Sequence, residues 1–111
     1  MQARDANRRL MDIVEAMAHI ESYITGVSYE QFLGDSLRVD AVLWRLTVIG
    51  EAAGFVSPET KLQHTDIPWA GMRGMRNALI HEYYAVDLDI VWRTVSLSIP
   101  ALRPRVESLI S

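Results

Sequence analysis

The chain contains no cysteine. That excludes a disulfide framework and a thiolate metal site, and it agrees with a reducing compartment without requiring one. Long apolar runs are also missing. The best, "AVLWRLTVIG" at 41–50, is broken by Arg45 and is far too short to span a bilayer. The opening "MQARDANRRL" is polar and leads into no continuous apolar stretch. No secretory signal is therefore expected, and the default is a soluble, cytoplasmic protein with no membrane partner. An excess of basic residues is lacking as well: the formal charge is −3, which argues against a broad basic surface for nucleic acid. No alternating strand pattern, internal repeat or low-complexity linker appears.

The acidic balance is uneven. Residues 1–67 hold six Lys/Arg against ten Asp/Glu, whereas residues 68–111 hold five against four. Half of the 111 residues are apolar and 23% are charged, an ordinary globular balance for a single domain spanning 1–111.

What is present is helical periodicity. Leu10, Ile13, Val14, Met17, Ile20 and Ile24 recur at spacings of three and four, which predicts a helix over 4–25 stopped by Gly26. "SYEQFLGDS" reads as a short helical turn with Tyr29, Phe32 and Leu33 packing inward. Asp35 or Ser36 caps a second helix through about Val56, carrying Leu37, Val42, Leu43, Leu46, Val48, Ile49 and Phe55. Its "IGEAAG" segment is small enough for another helix to come close. Ser57-Pro58 opens a short capped helix. A third long helix is expected from near Pro68, capped by Thr65 or Asp66, to about Tyr84. Asp87 caps a fourth, in which Pro100 and Pro104 predict a kink or break. The fold class is an all-α bundle of four main helices plus short ones.

The chemistry concentrates in "GMRGMRNALIHEYYAVD", residues 71–87. On a helical wheel with Arg76 at zero, Arg73 falls at roughly 60°, Asn77 at roughly 100° and His81 at roughly 140°. Tyr83 and Tyr84 flank Arg76 on the same wheel, and Ile80 sits among them. Met72, Met75 and Leu79 cluster apart, between about −100° and −40°, and are expected to face the core. Arginine offers a planar donor fork for phosphate, and histidine exchanges a proton near neutrality. Asn77 and the tyrosines add neutral donors. This set suits a metal-free attack of an RNA 2′-OH on its neighbouring phosphate, with His81 moving the proton and Arg76 stabilising the developing charge. No carboxylate cluster stands nearby to hold a metal, and no cofactor is expected. Five residues of separation leave Arg76 and His81 apart around one helix, so two copies across a two-fold axis would make the more compact cleft. The same residue types also occur on ordinary exposed faces and interfaces, and Arg-x4-His spacing alone does not choose between these readings.

The segments "IGEAA", "IPW", "MRNALIHEYYAVDLDIVW" and "IPALRPRVESLI", in that order over roughly residues 10–110, resemble the HepT-like branch of the HEPN superfamily. The resemblance implies an all-α bundle that forms homodimers and acts as a metal-independent endoribonuclease. It also implies the toxin half of a type VII toxin–antitoxin pair, whose partner is an MntA-type nucleotidyltransferase antitoxin. The family motif Arg-x4-His-x-Tyr falls on Arg76, His81 and Tyr83. Arg76 and His81 would then be catalytic in the dimer cleft, cutting tRNA or mRNA. Asn77 would position phosphate or the histidine, and Tyr83 would be a supporting donor and the hydroxyl that the partner modifies with AMP; Arg73, outside that motif, reads either as a phosphate guide or as a surface charge. Glu82 departs from the small residue that many relatives carry after the histidine, and Tyr84 adjoins Tyr83 as a second possible acceptor.

Other residues are assigned plainer roles. His19 and His64 read as structural or surface residues. Trp44, Trp69 and Trp92 read as core or dimer-interface anchors. Glu51 reads as a packing or solvent-facing residue able to touch the polar arc. Gly71 and Gly74 mark either close helix approach or fraying at a helix start. Two other readings use the same face: a non-catalytic subunit that presents nucleotide or substrate to a nucleotidyltransferase, and a purely structural helical dimer.

Overall fold

The computed structural model describes residues 3–111, with side chains from Asn7 onward, so the first two residues of the polar N-terminal stretch lie outside the described residues. The order is α1 (Ala3–Ile24), α2 (Tyr29–Leu33), α3 (Ser36–Gly54), α4 (Pro58–Gln63), α5 (Trp69–His81), a 3₁₀ turn (Tyr83–Ala85), α6 (Leu88–Arg93), a π segment (Thr94–Ser98) and α7 (Ile99–Glu107). No strand occurs among the described residues, and the expected all-α bundle is what forms. Its main members are α1, α3, α5 and the C-terminal run α6–π–α7. Among the described residues, no helix is long and apolar enough to cross a membrane.

Local chemistry places most boundaries. Gly26 adopts φ +73° after α1, a left-handed conformation that favours glycine. Ser28 and Gln31 form a reciprocal capping box on α2. The Asp35 carboxylate accepts from the backbone N–H of Arg38 at 3.1 Å to open α3, and Ser57 accepts from that of Thr60 at 3.2 Å to open α4. Asp87 accepts from the backbone N–H groups of Asp89 and Ile90 to open α6.

Helix α3 lies between α1 and α5, and α7 packs on the other side of α1. The α1 stripe is buried at Leu10, Ile13, Met17 and Ile20, against Val42, Leu43, Leu46 and Ile49 of α3 and Val95, Ile99 and Val106 of the C-terminal run. Each such side chain, fully buried, contributes about 1.5–3 kcal/mol against leaving it in water. Phe32 is sealed in the core with its ring 5.1 Å from that of Trp92. Between α5 and α7 remains an apolar cavity of about 220 Å³ bordered by Met72, Met75, Ile99 and Leu102.

Five expectations need correction. Leu33, expected to pack inward, is exposed, and so are Leu37 and Phe55 of the second predicted helix. Trp44 is 62% exposed, so of its two readings, core or interface anchor, the core one fails. Neither Thr65 nor Asp66 caps α5. The cap position is Pro68, without a side-chain bond, since Asp66 is drawn to Arg105 of α7 at 2.8 Å. Helix α5 ends at His81, not Tyr84, so both tyrosines leave its wheel. The expected proline break occurs at only one of the two positions, just ahead of Pro100, while Pro104 lies inside α7 without interrupting it. Pro100 has no N–H to donate, and the turn before it widens to π geometry, with the Ile99 N–H bonded to Thr94 O.

Candidate functional site

The site begins with a glycine. Antiparallel packing of α5 on α3 brings Gly50 so close to α5 that a Cβ there would lie 2.2 Å from Arg76 Cβ and 2.5 Å from Met72 O. One turn on, a Cβ at Gly54 would meet the Arg73 guanidinium at 3.0 Å. The small residues of "IGEAAG" therefore do admit the neighbouring helix, and the side chains they admit are the two arginines of the polar segment. Met72 and Leu79 are buried and Met75 is partly buried, as the apolar arc of α5 predicts.

Glu51, next to Gly50, reaches both arginines. Its Oε2 lies 2.9 Å from Arg76 Nε and accepts from Arg73 Nη1 at 3.4 Å. The Arg76 contact is an ion pair in distance but lacks hydrogen-bond alignment, and Arg76 Nε is otherwise shut off from solvent. Arg76 Nη1 donates to Asn77 Oδ1 at 3.1 Å. The guanidinium is thus held on two sides, and among the described residues its Nη2 meets no protein acceptor. Of the roles open to Glu51 from the sequence, the touch on the polar arc is the one that forms; that a single carboxylate bridges two cations was not legible, because it depends on which turn of α3 faces α5.

His81 is the last residue of α5 and is exposed. Among the described residues, no hydrogen bond or ion pair joins it to Arg76, Asn77, Arg73 or Tyr83. Five residues advance a helix by about 7.5 Å and 140°, which separates Arg76 and His81 within one protomer. Tyr83, on the 3₁₀ turn, donates its hydroxyl to Asp40 Oδ1 on α3 at 2.7 Å. That carboxylate holds the Tyr83 phenol above its ordinary value of 10.0. Tyr84 meets Tyr83 edge-on at 5.6 Å and stands fully in solvent. Asp40 was not singled out from the sequence, and nothing in its spacing marks it.

Beside these groups α3 shows an unusual outer face. Leu37, Trp44 and Phe55 are exposed large apolar residues, spaced so that with Val48 and Glu51 they line one side of the helix. Ile80 of α5 is 48% exposed. A shallow groove lined by Arg9, Trp44, Val48 and Glu51 runs between α1 and α3, and the Arg9 guanidinium sits 4.8 Å over the Phe55 ring. Among the described residues, no group of three or more His, Asp or Glu side chains is arranged to hold a metal ion.

A small all-α bundle whose third long helix presents arginine, asparagine and histidine beside an uncovered apolar face defines a class, and comparison with known proteins defines it further. The family model for ribonuclease HepT-like proteins matches residues 13–109. A protein of Thermococcus cleftensis named "Probable ribonuclease HepT" is 40% identical over 100 residues, covering 90% of this chain and 91% of that one. A Methanocaldococcus jannaschii protein named "Putative RNase MJ1380" is 30% identical over 107 residues, covering 96% and 98%. One from Caldanaerobacter subterraneus, also named a "Putative RNase", is 33% identical over 101 residues, covering 91% and 90%. No solved structure matches the chain. The chain belongs to the ribonuclease HepT-like family, within the HEPN superfamily.

Proposed function

We propose that the chain is a metal-independent endoribonuclease whose site is completed by a second copy, with Arg76 and His81 as its catalytic residues. The carrying observation is the pairing of an anchored Arg76, with an edge open to solvent, and an uncovered apolar face on the adjoining helix. A two-fold axis near that face would bring Arg76 and His81 of both copies to one cleft and cover Leu37, Trp44 and Phe55.

His81 takes the proton of the RNA 2′-OH as that oxygen attacks the adjacent phosphorus. The P–O5′ bond breaks, a protonated partner group or water supplies the leaving oxygen's proton, and a 2′,3′-cyclic phosphate remains. Arg76 donates to the phosphoryl oxygens as charge builds on them. Asn77 fixes the Arg76 fork, and Arg73 and Tyr83 border the path of the RNA backbone.

The same proposal extends to control. The chain is the toxin of a toxin–antitoxin pair, and its antitoxin is a nucleotidyltransferase that transfers AMP to Tyr83. That group would add bulk and negative charge where phosphate must pass. Of the two adjacent tyrosines, Tyr83 is the one whose hydroxyl is held against a carboxylate.

The test is cleavage of tRNA and mRNA in EDTA by partner-free protein of verified intact mass, beside Arg76→Ala and His81→Ala. Cyclic phosphate ends made by wild type and by neither folded variant would support the reading. An inert, unmodified wild-type dimer on both substrates would overturn it for those substrates and bring forward a nucleotide-presenting subunit of a nucleotidyltransferase complex.

A further inference from the structure

Glu51 poses an electrostatic puzzle. A carboxylate beside the two arginines that would meet RNA phosphate repels that phosphate and weakens ground-state attraction. Its benefit must lie elsewhere. Glu51 Oε2 occupies the Nε side of Arg76 at 2.9 Å, and Asn77 Oδ1 occupies one Nη1 hydrogen at 3.1 Å. With the carboxylate against Nε and Asn77 on Nη1, the guanidinium's remaining nitrogen, Nη2, is claimed by no protein acceptor among the described residues. The stem is fixed as well, since Arg76 Cβ rests against the bare backbone at Gly50. A long side chain with four rotatable bonds is thus held at both its stem and its head, with Nη2 left to meet a ligand.

We infer that Glu51 is the positioning residue for Arg76: it spends ground-state attraction to phosphate on holding the guanidinium edge where charge develops in the transition state. This rests on the ribonuclease reading above. The entropy of orienting Arg76 is met on folding and not during the reaction. Arg73, on the same oxygen at 3.4 Å, offsets part of the carboxylate's charge.

The experiment uses the full chain and the near-isosteric Glu51→Gln, which keeps shape and removes charge. Circular dichroism and sedimentation establish that fold and assembly are retained. If Glu51 only bound or only filled space, KM would rise or nothing would change. If it positions Arg76, kcat falls roughly ten- to a hundredfold while KM stays level or drops, because a repulsive charge has gone. A second readout needs no activity: the ¹H–¹⁵N signal of Arg76 Nε, assigned by its loss in Arg76→Lys. It is expected to be resolved and protected from exchange in wild type and averaged in Glu51→Gln.

An unchanged Nε signal would overturn the anchoring. A changed signal with unchanged kcat, or with increased cleavage, would overturn the catalytic benefit and leave Glu51 as a brake or a bystander. An inert wild type removes the ribonuclease reading and the positioning role with it, while the Nε signal still reports separately whether Glu51 holds Arg76.

Discussion

Replacing Gly50 with alanine is the sharpest test of how α3 and α5 create the site. The added Cβ would lie 2.2 Å from Arg76 Cβ and 2.5 Å from Met72 O. Carbon atoms prefer about 3.5–4.0 Å, so the deficit exceeds an ångström. Neither obstacle can swing aside: one atom is bonded directly to the α5 backbone, and the other is backbone. The helices must separate by about 1 Å or more, which loosens the packing of Met72 and Leu79. Overpacking of this kind costs about 1–3 kcal/mol, occasionally more, and works against a gain of about 1 kcal/mol for alanine over glycine in a helix. A rigid clash belongs near the top of that range, so we expect a net loss of about 2 kcal/mol. At this chain length that lowers Tm by about 8 °C in a melt at fixed protein concentration. The control is Gly74→Ala on the same helix pair's outer side, where an added Cβ would meet nothing within 4 Å of the protomer. It should raise stability by about 0.5–1 kcal/mol. Because the clash falls on Arg76, Gly50→Ala should also move its guanidinium from Glu51 and reduce cleavage under conditions where the variant is folded. A Gly50→Ala protein that melts at or above wild type would refute the close α3–α5 crossing and everything built on it.

Other outcomes follow from the same geometry. Trp44→Ala should leave the protomer's secondary structure intact, since the ring is 62% exposed, but should shift sedimentation toward monomer if the α3 face is the two-fold contact. Asp40→Asn should bring the Tyr83 phenol back down toward 10.0, read as phenolate absorbance with Tyr83→Phe as the blank. The sign is that of a raised group: the Asp40–Tyr83 bond supports the fold fully below pH 10.0 and is lost as pH climbs through the higher folded value. Asp35 and Asp66 behave oppositely. Backbone and side-chain bonds from Arg38 hold the Asp35 carboxyl below its ordinary 3.8, and the Arg105 bond does the same for Asp66. Their contributions are present above pH 3.8 and fade as pH falls through the lower folded values. Asp35→Asn or Asp66→Asn should therefore flatten the acid limb of Tm against pH, and an unchanged limb in both would count against these pairings.

Much of the fold was legible because its signals are local. Ser28–Gln31, Asp35, Ser57-Pro58 and Asp87 satisfy helix-start donors within a few residues of chain, and the α1 stripe needs only a period near 3.6. The misreadings share a different cause. Thr65 and Asp66 looked like caps until α7 supplied Arg105 as a stronger partner for Asp66. Leu33 was expected to pack inward beside Phe32 because a short apolar turn does not say which face meets another helix. The end of α5 at His81, not Tyr84, depends on where Asp40 of α3 receives Tyr83.

The same division runs through the candidate site. The sequence by itself determined which groups are available: Arg73, Arg76, Asn77, His81 and Tyr83 in one short segment, with a glycine-bearing stretch elsewhere able to admit a helix. Only the tertiary structure decided that Gly50 faces Arg76, that Glu51 holds two arginines with one oxygen, and that Asp40 holds Tyr83. Those pairs lie 22 to 43 residues apart in the chain. A periodic pattern fixes which residues share a face of one helix, but the azimuth at which two helices meet is set by packing the whole core, and no local spacing encodes it.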